Sequence, residues 1–86
     1  MKKKDMKIRI DGGLEARPIA MLVQIASQFD SSIYIESGDK RVNAKSIMGM
    51  MSLVLDSGEE VSVSADGNDE DAAVDNIEKF LSGAQV

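Results

Sequence analysis

The chain has no cysteine, no histidine and no tryptophan, and a single proline in 86 residues. Without cysteine there is no disulfide, no thiol nucleophile and no thiolate metal site. Without histidine the default general base and the commonest metal ligand are gone, and no phosphohistidine can form. A small secreted domain without cysteine would lack its usual staples, so a reducing cytoplasm is the expected setting. No apolar run approaches the roughly 20 residues that span a bilayer. Lys2, Lys3 and Lys4 imitate the start of a signal peptide, but Asp5, Lys7, Arg9 and Asp11 leave no apolar segment behind them. A net charge of −5 argues against direct nucleic-acid binding, and no membrane contact is expected.

What is present fits one domain, residues 1–86, with a small core. Charge is polarised. Residues 1–9 carry five bases against Asp5, whereas residues 56–86 carry nine acids and only Lys79 as a base. Such a molecule can orient toward a partner through its field, or simply carry a solvated acidic final helix.

Met6, Ile8 and Ile10 alternate with Lys7 and Arg9 as a half-buried strand, closed by Asp11-Gly12-Gly13. Leu14 to Pro18 opens a helix, with proline in its first turn. Ile19, Leu22, Val23, Ala26 and Phe29 give that helix one buried stripe. Ile33 and Ile35 mark a second strand, Ser37 to Lys40 a tight turn, and Arg41 to Asn43 a return strand, a hairpin. Ser46 precedes a short helix over Ile47 to Leu53. Val61, Val63 and Ala65 alternate as a fourth strand. Asp69, Glu70 and Asp71 start a last helix, where acids suit the dipole; its apolar stripe is Ala73, Val74, Ile77, Phe80 and Leu81. The acidic triplet can also be read as a divalent-cation holder, but the helix start explains it better. The order β-α-β-β-α-β-α, with one apolar face per strand and one stripe per helix, predicts an α+β fold: an antiparallel sheet with the helices on one face.

Two segments carry more. They are Gly13-Leu14-Glu15-Ala16-Arg17-Pro18-Ile19-Ala20 and Val42-Asn43-Ala44-Lys45-Ser46-Ile47-Met48-Gly49-Met50-Met51-Ser52-Leu53. Ser46 is a preferred N-cap residue. In the helix that follows, Met50 and Leu53 face the core, while Ile47, Met48 and Met51 fall on another face. So short a helix does not bury all five, so those three are expected to be partly exposed, either as a partner site or as the rim of a crowded core. No paired carboxylates, nucleophile–base pair or metal cluster emerges; neither cofactor nor enzymatic activity is expected. Gly12-Gly13 is too short for a phosphate loop.

Both segments, with the element order, resemble the HPr family, the phosphocarriers of the bacterial sugar phosphotransferase system. The likeness spans essentially the whole chain. It implies a two-layer open-faced sandwich of four strands and three helices. In carrier members the position of Glu15 is the phosphorylated histidine; Arg17 and Pro18 are retained. Glu15 then has four readings: a charge at a helix start, a partner for Arg17, a poor mimic of phosphohistidine, or an acyl-phosphate carrier. Lys45 to Gly49 resembles the regulatory serine site of HPr proteins from low-GC Gram-positive bacteria. There Ser46 would be the target of HPr kinase/phosphorylase, and phosphate on a helix start adds charge without melting the helix.

Lacking the histidine but keeping the serine, and reading alike over Asn43 to Gly49 and Met51 to Leu53, the chain resembles the regulatory Crh paralogues of bacilli. It departs from them at Glu15, where glutamine is typical, and at Ile19. That resemblance implies a corepressor of the catabolite control protein, a LacI-type repressor. Phosphoserine 46, Arg17, Ala20, Gln24, Ile47, Met48 and Met51 would make the contacts. The alternatives are a carrier working through Glu15, a binder of a metabolic enzyme, or an engineered scaffold. A strand-swapped homodimer is a further expectation, hinged at Gly12-Gly13.

Overall fold

A computed structural model describes residues 1–10, 15–53 and 55–83. Seven elements satisfy the alternation and the helical spacings: β1 (Lys2–Lys7), α1 (Ala16–Ser27), β2 (Ser32–Ser37), β3 (Lys40–Asn43), α2 (Ile47–Met51), β4 (Glu60–Asp66) and α3 (Glu70–Leu81). The strands form one sheet in the order β1-β4-β2-β3, and every pairing is antiparallel. Ile33, Ile35, Val61, Val63 and Ala65 point to one face. There they meet Ile19, Leu22, Val23 and Ala26 of α1, Met50 of α2 and the Ala73–Leu81 stripe of α3 in a single core. The other face is open and polar, with Lys3 paired to Glu36 at 3.4 Å and Arg41 stacked 4.1 Å from the Tyr34 ring centre. No helix among the described residues is long and apolar enough to cross a membrane.

The first strand lies earlier than the alternation implies. Lys2 pairs with Ala65 and Lys7 with Glu60, so the ladder runs through the lysines. Beyond Lys7 the backbone turns toward the end of α3: Arg9 N–H donates to the Leu81 carbonyl at 2.7 Å. Ile8 is buried there without belonging to a strand. Of the β1 residues only Met6 is buried; the backbone ladder to β4 holds the strand, and Lys2, Lys3 and Lys4 add ion pairs. The Met1 ammonium lies 3.3 Å from Glu70, Lys2 3.4 Å from Asp71 and Lys4 2.8 Å from Glu78. The basic first residues and the acidic last helix therefore meet inside one molecule. The Gly12-Gly13 joint lies outside the described residues.

α2 is also shorter than expected, closing at Ser52, although Leu53 is buried as predicted. Ser64, on the nominally polar face of β4, is buried, and its hydroxyl has no partner among the described residues. Two glycines are required by the chain path. A Cβ on Gly67 would lie 2.7 Å from the Ser31 Cα, and one on Gly83 would lie 2.6 Å from the Arg9 carbonyl oxygen; both residues have positive φ.

Candidate functional site

Ser46 is set in place by the turn that leaves β3. Ala44 is buried and its N–H donates to the Ile33 carbonyl at 2.9 Å. The Asn43 side chain accepts from Lys45 N–H at 2.8 Å, and its backbone carbonyl accepts from Ser46 N–H at 3.0 Å; short polar side chains favour such turns. Ser46 is then extended (φ −108°, ψ 114°), and its Oγ accepts from Gly49 N–H at 3.1 Å. It is the N-cap the sequence predicts. At the other end of α2 the Ser52 hydroxyl donates to the Gly49 carbonyl at 2.6 Å, and Lys40 Nζ donates to the Ser52 carbonyl at 3.2 Å.

Within α2 the apolar residues divide as the spacing predicts. Met50 is buried, while Ile47, Met48 and Met51 are 49%, 85% and 54% exposed. α2 packs beside α1. Lys45 joins the two: its Nζ donates to the Phe29 carbonyl at 2.6 Å, placing a cation where α1 ends and the dipole is negative. The sequence reading missed this tie, because a lysine's reach to a distant carbonyl leaves no periodic signal.

Glu15 is the N-cap residue of α1. Its carbonyl accepts from Ile19 N–H at 2.8 Å, but its carboxylate makes no capping bond. No ion pair joins it to Arg17 among the described residues, so the pairing considered for these two is not formed. Arg17, Ala20 and Gln24 are exposed on α1; spacings of three and four place them on one stripe. Met21 joins that exposed side and was not singled out from sequence. Gly13 and Leu14 lie outside the described residues.

The acidic start of α3 does more than complement a dipole. Asp69 makes no cap bond to its own helix. Its carboxylate instead accepts from Asp30 N–H at 2.8 Å, Ser31 N–H at 3.0 Å and the Ser31 hydroxyl, tying α3 to the chain between α1 and β2. The Ser31 hydroxyl first, and the Asp30 N–H next, hold Asp69 below the ordinary carboxylate range. Glu70 is also lowered, chiefly by the Gly67 N–H that donates to it at 3.1 Å. Asp71 pairs with Lys2. All three carboxylates are thus engaged by protein donors. Among the described residues no group of three potential ligands gathers around a common point.

The arrangement therefore offers a hydroxyl at a helix start, an apolar patch beside it, and the polar stripe of α1. The PTS HPr component phosphorylation site family model matches residues 2–83. The HPr-like protein Crh of Halalkalibacterium halodurans is 44% identical over 94% of this chain and 96% of its own. A crystal structure of HPr-C-His from Thermoanaerobacter tengcongensis superposes with a TM-score of 0.85 at 47% identity, covering all of both chains. Bacillus subtilis Crh, 41% identical over 96% of this chain and 95% of that one, superposes with a TM-score of 0.78; its crystal structure is described as an intertwined dimer with a swapped domain. This chain belongs to the HPr family, and within it is similar to the Crh proteins of catabolite repression.

Proposed function

We propose that the protein is a non-enzymatic regulator of carbon catabolite repression, phosphorylated on Ser46 by HPr kinase/phosphorylase and then acting as corepressor of the catabolite control protein. The observation that carries this reading is the geometry of Ser46. A hydroxyl capping α2 stands next to Ile47, Met48 and Met51, which are apolar yet exposed. Phosphate there adds about 1.5–2 negative charges beside an adhesive patch. Basic residues of the repressor would pair with the phosphate through charge-assisted hydrogen bonds, the patch would supply apolar area, and Arg17, Ala20 and Gln24 would extend the contact. Glu15 stands in the position of the carrier histidine, and the chain has no histidine to phosphorylate.

Incubation with the kinase and ATP, read by intact mass, tests the first step. One added phosphate is expected on the wild type and none on Ser46→Ala; an unmodified wild type, or equal labelling of the variant, refutes it. The carrier alternative predicts an alkali-labile phosphate on Glu15 after incubation with phosphoenolpyruvate and the first enzyme of the phosphotransferase system. We further infer that two copies can exchange β1, as the Crh dimer suggests. Size exclusion over a range of concentrations should show a dimer fraction, and a concentration-independent monomer rejects it.

A further inference from the structure

With no cysteine, histidine or tryptophan in the chain, its readily oxidised side chains are the six methionines, and burial sorts them. Met6 is 8% and Met50 0% exposed; Met21 is 47% exposed, and Met48 and Met51 are more open still. The three open thioethers beyond Met1 all lie on α1 and α2, the pair of helices that frames Ser46. Apart from Met1, 72% exposed at the start of the chain, the open methionines are therefore gathered on the face formed by these two helices.

We propose that Met48, Met51 and Met21 form an oxidant-sensitive modification site, and that peroxide closes this face to its partner while leaving the phosphate on Ser46. The proposal rests on the reading of the face as the repressor's docking surface. Chemically, a thioether sulfur lone pair attacks one oxygen of hydrogen peroxide. The O–O bond breaks as the S–O bond forms, and the proton on the transferred oxygen passes to the departing hydroxide. Methionine sulfoxide and water result, the sulfur oxidised by two electrons and the peroxide reduced. A sulfoxide is polar. Docked against an apolar partner it must give up its water without a matching donor, which weakens binding about tenfold or more. The Ser46 Oγ to Gly49 N–H bond involves no thioether, so the kinase's mark persists while its readout is lost. Sulfoxide reductases would restore it.

The experiment treats the Ser46-phosphorylated protein with graded hydrogen peroxide, maps added oxygen by tandem mass spectrometry, and titrates each sample against the purified repressor. Met48, Met51 and Met21 should oxidise well before Met50, repressor affinity should fall at least about tenfold, and a mixture of the two methionine sulfoxide reductases should restore it. The Met21→Leu, Met48→Leu, Met51→Leu triple variant, compared with itself before and after treatment whatever its starting affinity, should lose no affinity to peroxide. Oxidation of Met50 as fast as Met48, unchanged affinity after Met48 and Met51 are oxidised, or equal loss in the triple variant overturns the proposal. An untreated phosphoprotein that fails to bind the repressor overturns the docking reading itself, and the oxidation map keeps that failure distinct.

Discussion

At the scale of single residues, the polar side chains that matter each serve two purposes. Ser46 caps α2 and is the proposed phosphoacceptor. Ser46→Ala should lower stability by about 1 kcal/mol, visible as a fall of roughly 4–8 °C in Tm for a domain of this size, besides abolishing labelling. Asp69 ties α3 to the α1–β2 connection through Asp30 and Ser31. Because Asp69 and Glu70 are both held below their ordinary range, their contribution is complete above that range. It fades below roughly pH 4, the unperturbed carboxylate region, as the unfolded chain takes up protons first. Urea titrations at descending pH should show this decline, and Asp69→Asn should be less stable at pH 7 with a flatter acid slope. Ser46 was legible from sequence because capping is local and has a spacing. The role of Asp69 was not, since its donors lie about forty residues away in the chain and only the packed fold brings them within reach.

Among the elements, legibility follows the kind of force that holds each one. α1, α3, β2 and β4 are apolar on one side, and their buried residues could be read directly from period. The existence of β1 was legible but its bounds were not, because lysines fill its outer positions and only Met6 is buried. Nothing in alternation announces a strand held by a backbone ladder and ion pairs. Exposed pairs are weak and screened by salt. Raising sodium chloride should therefore speed hydrogen exchange of the β1 amides by a few-fold, leaving the β2 amides unchanged. A Lys2→Gln, Lys4→Gln variant should exchange faster at low salt and respond less to added salt. The end of α3 depends on shape instead. Gly83→Ala puts a Cβ 2.6 Å from the Arg9 carbonyl oxygen at positive φ, so it should lower stability by more than about 1 kcal/mol in urea titrations.

For the whole molecule, the division of labour between faces was only half visible beforehand. The two-layer design follows from one apolar face per element, and the exposed Ile47, Met48 and Met51 follow from the shortness of α2. The strand order β1-β4-β2-β3 does not follow from period, because alternation says which way a side chain points and not which strand lies beside it. The polarised charge, read from sequence as a steering field, is largely spent internally: the Met1 ammonium, Lys2 and Lys4 face Glu70, Asp71 and Glu78.

That internal pairing bears on the proposed dimer. When two copies trade β1, each strand lies on the other's β4 and α3 and re-forms the same ladder and the same charge pairs. Contacts common to both end states cancel from the balance between them and remain only in the opened species that must be crossed. The ammonium and lysine pairs are thus a latch on the rate of trading, not a weight on its outcome. Separated monomer and dimer fractions should interconvert faster as salt is raised yet settle at the same ratio.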